Sequence, residues 1–374
     1  MRVAYQAGVL AALEQAGLRF HHVDGSSGGT MNLSMLRCGQ DSAEMGQRWR
    51  TLRQHHFAAL LPWRDYLGTL RWPALGGAQG VREKVFPQLG IDPDRIRRAT
   101  GVAGTYNVCN FATKTAEVVE HQDIDLDLLV AAVSLPILMP AVVRHGTPYT
   151  DAVWIRDSNV PGAVARGSDE IWLVWCIGNT PAYHNGLFRQ YVHMIEMAAN
   201  GSLLRDLGYI ADRWPQRPVR VHVIKPQYPL PLDPAYFTGQ IDAATLIALG
   251  YQDACRYLDN PAPVSAPWPP GITQMREAPA GAAARLVLAG SFTPACPEPG
   301  GSPEPGTNDG TGITLHLQLQ ARGRRSAGGP FPFEWFGLSC IVCFAVFVLL
   351  VTPRTERAAR ARYPEIARAV GAHG

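Results

Sequence analysis

The first 230 residues of the chain alternate between two hydrophobic periodicities. Short apolar or alternating runs predict strands, because successive side chains of a strand face opposite sides. Apolar residues spaced three and four positions apart predict helices. The predicted strands are residues 19–23, 102–109, 115–119, 141–144, 171–177 and 219–225. The predicted helices are residues 2–16, 30–37, 42–54, 126–133, 186–207 and 241–258. Strands that alternate with helices in this way predict a three-layer α/β/α domain.

The pattern changes after residue 260, where a cluster of prolines over residues 261–270 indicates a linker. Two further strands are predicted at 285–292 and 313–320, and the residues between them are rich in Pro, Gly and Glu, which predicts disorder. Two strands are marginal as a domain. We therefore interpret them as a fragment of a β-rich unit within an irregular C-terminal extension.

An apolar run without any charged residue covers residues 335–351. Its length is at the lower limit for a helix that crosses a membrane, so we predict a single transmembrane helix here, with a buried helix or an apolar tail as the alternative. The predicted organisation has three parts: a domain over residues 1–260 with its motifs within 1–230, a linker with the β fragment over 261–330, and the apolar helix with a basic tail over 331–374.

Composition narrows the classes of function. Hydrophobic residues make up 47% and charged residues 17% of the chain, which indicates a globular core. The net charge of +3 and the lack of a basic stripe argue against nucleic acid as a partner. No zinc-type CxxC pairs occur, and Cys340 and Cys343 lie in the apolar run, so we expect no metal and no cofactor. The remaining cysteines show no disulfide framework, which favours a reducing compartment.

The sequence Gly25-Ser26-Ser27-Gly28-Gly29 carries the strongest chemical signal. It fits G-x-S-x-G and lies between a predicted strand and a predicted helix, which is the setting of a nucleophile elbow. Such a turn exposes the hydroxyl of Ser27 at the end of a strand, and glycines tolerate the unusual dihedral angles. The helix that follows directs N–H groups at the site, which favours a developing negative charge. A glycine-rich turn that caps a helix is the alternative interpretation.

A nucleophilic serine needs a base, and the eleven histidines include no evident one. In a hydrolase triad that base is a histidine held by a carboxylate. His21 and His22 lie on the strand of the elbow, too close along the chain to reach Ser27 readily, and the other histidines lie in no compelling motif. An α/β-hydrolase with a Ser-His-Asp triad stays an alternative.

Four segments give residues 1–230 a resemblance to the patatin-like phospholipase family. Residues 2–13 look like the first helix of the family, and residues 25–29 match its nucleophile elbow. Residues 131–136, followed by Met139-Pro140, are similar to its A-S-x-A-x-P…F-P-P block. The pair Asp151-Ala152 matches its D-G/A motif. Order and spacing agree with the family as well.

The resemblance implies a Ser–Asp dyad in an α/β/α fold. Carried over, Ser27 is the nucleophile and Asp151 the general base of a hydrolase that cleaves lipid acyl esters through an acyl-enzyme. A lipid or a membrane is then the source of the substrate. Asp157 is a rival carboxylate, although its Asp-Ser-Asn setting is typical of a turn or cap. Asp24 lies next to the elbow but is expected to point away from the serine.

The chain departs from the family pattern at its start. In the family's oxyanion loop, G-G-G-x-[RK]-G, Arg2 takes the basic position, so the three glycines and the first strand would precede Met1. We therefore expect the fold to lack that strand and that loop, with only backbone near Arg2 at the oxyanion site, and we hypothesise that the chain begins too late.

Two functional interpretations follow from this departure. Loss of oxyanion donors costs several kcal/mol of transition-state stabilisation. A catalytically impaired patatin-fold module attached to a membrane is therefore the alternative to an active hydrolase. The expected location is at a membrane with the α/β domain in the cytoplasm, and the alternative is a cytoplasmic protein.

Overall fold

A computed structural model describes residues 2–57, 59, 61, 73–230 and 242–277. The chain divides into two units, Met1–Pro303 and Glu304–Gly374, and every described residue belongs to the first. The strands predicted at 285–292 and 313–320 and the transmembrane helix predicted at 335–351 lie outside the described residues. No described helix combines the length and the hydropathy that crossing a bilayer requires. The three-part organisation stays a prediction.

The described strands form two sheets. The larger sheet contains β1 (His22–Ser26), β2 (Ala103–Asn110), β3 (Thr115–Glu120), β4 (Val142–Arg144) and β5 (Thr147–Asp151). β1 and β2 are parallel. Both β3 and β5 pair with β2 in the antiparallel direction, and β4 pairs with β5 in the same way. The smaller sheet contains β6 (Glu170–Val174) and β7 (Arg220–Ile224), which are parallel.

Helices flank these sheets. The α-helices are α1 (Ala4–Gln15), α2 (Gly29–Arg37), α3 (Ser42–Thr51), α4 (Phe86–Gln88), α5 (Pro93–Arg98), α6 (Leu126–Ala131), α7 (Val160–Ala165), α8 (Leu187–Arg213) and α9 (Ala243–Asp259). A π-helical turn, Val81–Val85, precedes α4, and 3₁₀ turns cover Gln54–His56 and Ala152–Trp154. Side-chain caps begin five of these helices by accepting backbone N–H groups of the first turn: Asp41, Asp92, Asp125, Asn159 and Asp242. The mixed sheet between helices confirms the predicted α/β/α class.

Two glycines allow α1 and α9 to cross at very short range. A Cβ atom on Gly8 would lie 1.9 Å from the carbonyl oxygen of Ile247, and one on Gly250 would lie 2.0 Å from that of Tyr5. The Tyr5 hydroxyl also donates a 3.0 Å hydrogen bond to Asp253 of α9. This contact fixes α1 within the main apolar core, which includes Trp49 and Tyr106.

A cavity of about 500 Å³ is lined by residues of both sheets. Residues of β1 and β6 contribute to its lining, together with apolar residues of α1 and α2. Among the described residues, β1 pairs only with β2, and β6 only with β7. A hydrogen bond of 3.4 Å between His21 and Ser168 links the starts of β1 and β6. The expectation of a missing central strand rests on the resemblance and stays a prediction.

Several predicted boundaries are wrong. β1 begins at His22 instead of residue 19 and continues to Ser26, because it pairs with residues 103–107 of β2. α8 continues to Arg213 instead of 207. The sequence analysis did not predict β5, whose Thr-Pro-Tyr-Thr-Asp sequence has no clear alternation, nor the helical segments at 81–88, 93–98 and 160–165, which are too short to show periodicity.

The cysteines depart from the sequence expectation at one position. Cys38, Cys109 and Cys176 are free and buried, but Cys255 is disulfide-bonded. The prediction that these cysteines form no disulfide framework therefore does not hold at Cys255.

Candidate active site

Ser27 occupies a strained turn between β1 and α2. Its φ angle is +50°, a left-handed conformation that is uncommon for a residue other than glycine. The turn closes through hydrogen bonds from the Thr30 N–H to the Ser27 carbonyl and from the Met31 N–H to the Gly28 carbonyl, both 3.1 Å long. Such strain is characteristic of functional turns and is retained where the surroundings enforce it. The predicted strand–turn–helix arrangement around Ser27 is present.

The flanking glycines are required by close packing. A Cβ atom on Gly25 would lie 3.0 Å from the Leu33 side chain, and one on Gly28 would lie 2.2 Å from Val3. Gly29 has only Gln6 within 4 Å of such an atom. Gly25 and Gly28 therefore let α2 and the start of α1 approach the elbow, whereas Gly29 has no comparable steric requirement.

The sheet brings Asp151 next to Ser27. β3 covers one edge of β2, so β1 and β5 must share the other edge. Ser26 at the end of β1 pairs with Asn107, and Asp151 at the end of β5 pairs with Val108, the next residue of β2. The two strands thus meet end to end on one edge of β2. This arrangement places residues that are 124 positions apart in sequence within hydrogen-bond distance.

A hydrogen bond of 2.7 Å runs from Ser27 Oγ to Asp151 Oδ2. The other carboxylate oxygen, Oδ1, accepts the Val153 N–H at 2.9 Å, and the Asp151 N–H donates to the Ser134 carbonyl at 3.0 Å. Asp151 has no exposed surface. Burial raises the pKa of its carboxyl group to about 7, against the smaller lowering effects of the hydrogen bonds from Ser27 and Val153. A carboxyl group poised near neutral pH suits a general base.

The two other acidic residues near the elbow have different surroundings. Asp24 accepts hydrogen bonds of 2.6 Å from Thr105 and from Asn107, so it ties β1 to β2 and points away from Ser27, as predicted. Asp157 has a fully buried Oδ1 atom without a hydrogen-bond partner. Burial, and then the charges of Asp151 and Asp24, raise the pKa of Asp157 well above its ordinary value. Asp157 lies in a bend before α7, and the cap that the Asp-Ser-Asn setting predicts is Asn159.

The described histidines make their hydrogen bonds elsewhere. His22 bonds to Thr105, His121 to Ala99, His193 to Glu196 and His222 to Tyr257. Among the described residues, the hydrogen bonds of Ser27 Oγ and the Asp151 carboxylate involve no histidine. The geometry therefore favours the dyad over the triad alternative.

Backbone at the start of the chain lies against the elbow. Val3 contacts the position of a Gly28 Cβ, and the Val3 carbonyl accepts a 2.9 Å hydrogen bond from Asn32 of α2. The Asn32 amide is held in turn by Gln6 and Trp49. The segment that follows Arg2 thus lies against the elbow, and its role at an oxyanion site stays a prediction.

Sequence analysis missed Tyr191, which lies close to the dyad. Its hydroxyl donates a 2.6 Å hydrogen bond to the Pro136 carbonyl, and its ring lies 5.8 Å from that of Trp154. Burial and the nearby Asp151 carboxylate raise the pKa of Tyr191 to about 12. Tyr191 lies in a long helix without any motif, so only its position in the fold reveals it.

The described residues include no group of three or more His, Cys, Asp or Glu side chains that could hold a metal ion. The polar groups at the elbow are instead a hydroxyl, a buried carboxylate and backbone amides, and these can carry out acyl transfer without a bound cofactor.

Comparison with known protein families agrees with this geometry. Residues 1–165 match the family model of patatin-like phospholipases. This segment is a patatin-like phospholipase domain. The match contains both Ser27 and Asp151. Patatin-like proteins are typically hydrolases, so resemblance places the chain among the lipid acyl hydrolases in general. A comparison with curated proteins finds no match.

Proposed function

We propose that the patatin-like domain hydrolyses lipid acyl esters with Ser27 as the nucleophile and Asp151 as the general base. The observation that carries this proposal is the 2.7 Å hydrogen bond between a strained serine and a buried carboxylate. A base whose pKa is close to 7 accepts the hydroxyl proton without a histidine. The family match supports the reaction class.

The proposed reaction has two steps. Ser27 Oγ attacks the ester carbonyl carbon while its proton passes to Asp151 Oδ2, and a tetrahedral oxyanion forms. The oxyanion collapses, the bond to the alcohol oxygen breaks, and Asp151 returns the proton to that oxygen. A water molecule then attacks the acyl-enzyme, and its proton passes to Asp151. Collapse of the second oxyanion releases the fatty acid and returns the proton to Ser27.

Backbone amides are the proposed oxyanion donors. The N–H of Gly28, the residue after the nucleophile, is one donor of the elbow arrangement. The N-terminal end of α2 adds a favourable partial charge. The segment near Arg2 lies against Gly28 and is the proposed place of the second donor.

The cellular setting is proposed on the same basis. A lipid substrate requires access to a membrane or to lipid aggregates, so we propose a membrane-associated protein whose α/β domain lies in the cytoplasm. Residues 335–351 are the proposed single-pass segment, because they are apolar and uncharged. The part of the chain over 261–330 is the proposed linker.

Labelling with a fluorophosphonate probe tests the dyad. We expect the full chain to be labelled at Ser27 and the Ser27→Ala variant not to be labelled. Asp151→Asn should slow labelling by about 10²–10⁴-fold, because it removes the base but keeps the shape. Peptide mass spectrometry identifies the labelled residue.

Asp157→Asn is the matched control for Asp151→Asn. Asp157 is also buried beside the elbow, but it makes no hydrogen bond to Ser27 Oγ, so the labelling rate should stay within about twofold. A folded wild-type chain that resists labelling would contradict the proposal and support an impaired patatin-fold module. Loss of labelling in a histidine variant with retention in Asp151→Asn would instead support a triad.

A further inference from the structure

The first three turns of α8 expose large apolar side chains. Leu187 is 78% exposed, Met197 65%, Met194 49% and Phe188 41%. No residue of α8 before Ala199 is fully buried, whereas the second half of the helix packs in an apolar core. The N-terminal part of α8 therefore packs on the domain only through half-buried residues such as Tyr191 and Ile195, and it leaves its other large apolar groups in solvent, which is uncommon unless they have a partner.

These side chains cover a wide arc of the helix. At 100° per residue, Phe188 and Met197 lie about 180° apart around the axis, with Leu187 and Met194 between them. A helix that packs on one neighbour presents an apolar stripe of roughly 100°. Tyr191 and Ile195 fall within the same arc and pack on the domain. The exposed apolar side chains therefore flank this packed strip on both sides and form a margin around the place where α8 meets the domain.

The charge around this helix end fits a lipid surface. Residues 171–195 include no acidic residue, and Arg189 is the one basic residue among them other than histidine. The Glu196 carboxylate interacts with His193, with 3.0 Å between Oε2 and Nδ1. Arg189 is exposed on the first turn of α8. The lack of acidic residues in this stretch and the exposed Arg189 favour an anionic lipid surface as the partner of these apolar groups.

A strained and exposed apolar residue follows the point where α8 contacts the segment next to the dyad. Ile137 has a φ angle of +75°, an outlier for a β-branched residue, and its side chain is 58% exposed. Its neighbour Pro136 accepts the hydrogen bond from Tyr191 of α8, and Ser134 of the same segment accepts the Asp151 N–H. The segment 134–137 thus connects α8 directly to the dyad.

We propose that Ile137, Leu187, Phe188, Met194 and Met197 form an apolar rim that docks on a lipid surface and brings Ser27 to its substrate. This inference rests on the proposed function, because hydrolysis of a lipid explains why the domain would dock beside Ser27. The docking itself can be measured without any assay of catalysis.

Site-specific protection tests the rim without any assay of activity. The full chain with Leu187→Cys is mixed with vesicles of phosphatidylcholine and phosphatidylglycerol, and reaction of position 187 with a water-soluble maleimide is read by peptide mass spectrometry. Vesicles should slow this reaction at least tenfold. Leu204→Cys is the matched control, because Leu204 is 48% exposed on the same helix but about 25 Å farther along it. Its reaction should not change.

Three results would overturn the proposal. Equal reactivity of position 187 with and without vesicles shows that the rim stays in water. Protection of position 187 before vesicles are added shows that another part of the chain or a second copy covers it, and size-exclusion chromatography separates these two cases. Equal protection at positions 187 and 204 shows that contact is not specific to the rim. If Leu187→Cys does not fold, Met194→Cys takes its place.

A second measurement connects the rim to the reaction. The ratio of hydrolysis rates on phospholipid vesicles and on p-nitrophenyl butyrate should fall at least tenfold in the double variant Leu187→Ser/Met194→Ser, because two exposed apolar anchors are lost. Leu204→Ser should leave this ratio unchanged. An unchanged ratio in the double variant contradicts the rim. A chain that is inactive on both esters contradicts the proposed function. The protection experiment alone then tests whether the rim docks on a lipid surface.

Discussion

At the scale of single residues, two unfavourable features converge on one hydrogen bond. Ser27 has a left-handed backbone, and Asp151 is a carboxyl group without exposed surface. Each is costly on its own, since strain and buried charge both destabilise a fold. Their combination is typical of functional sites, where strain and raised pKa values serve chemistry. Asp157 and Tyr191 share the same environment without a bond to the serine hydroxyl.

The raised pKa of Asp151 predicts the pH dependence of hydrolysis. The carboxyl group accepts a proton only when ionised, and burial raises its pKa to about 7. We expect kcat/KM for a soluble ester to fall about tenfold per unit below pH 7 and to level off above it. The measurement is kcat/KM between about pH 5 and about pH 9. An acid limb centred near pH 4 would show that Asp151 is not the titrating base.

At the scale of elements, one strand edge and one helix crossing build the site. β1 and β5 end at adjacent positions along the same edge of β2, which brings the serine and the carboxylate together. α1 passes the elbow at Val3 and is held to α9 through Gly8 and Gly250. A contact far from the dyad therefore determines where the backbone near Arg2 lies.

Two glycine-to-alanine changes, one at the helix crossing and one outside it, should have opposite effects on the free energy of unfolding. Gly250→Ala should destabilise the fold by about 1–3 kcal/mol, because its Cβ would lie 2.0 Å from the Tyr5 carbonyl oxygen. Gly208→Ala in α8 should stabilise it by about 0.5–1 kcal/mol, because nothing lies within 4 Å of the added atom and alanine favours a helix. Urea unfolding followed by circular dichroism measures both. Equal effects of the two changes would contradict the close crossing.

At the scale of the whole molecule, buried acidic groups and an internal cavity make the domain costly to fold. Among the described residues, burial raises the pKa of five aspartates: Asp24, Asp151, Asp157, Asp206 and Asp253. The cavity of about 500 Å³ further reduces packing between the two sheets. Several of these features lie beside the elbow, so part of this cost arises where the proposed chemistry occurs.

These aspartates predict that stability falls as pH rises. Above their ordinary pKa of about 4 the unfolded chain releases these protons, whereas the folded chain releases each of them at a higher pH, which for Asp151 is about 7, so ionisation in this range favours unfolding. Burial lowers the pKa values of His22 and His222, and their protonation on unfolding opposes this trend below about pH 6.5. The carboxyl groups outnumber them, so we expect a lower Tm at pH 8 than at pH 5.

Asp157→Asn provides the control for this titration. Asparagine does not ionise, so the variant should gain Tm relative to the wild type, and the gain should be larger at pH 8 than at pH 5. Differential scanning calorimetry at both pH values measures it. A gain that is the same at both pH values would show that Asp157 is not buried in its protonated form.

The sequence by itself determined the α/β alternation, the elbow around Ser27 and, through resemblance, the choice of Asp151. Periodicity and glycine turns are local properties, so they can be recognised within a short window of residues. Only the tertiary structure decided that β1 and β5 share one edge of β2, that Asp157 is a buried carboxylate, and that Tyr191 and the apolar rim lie beside the dyad. Strand pairing and burial depend on contacts between residues tens of positions apart, and 124 positions apart for Ser27 and Asp151, which no local pattern records.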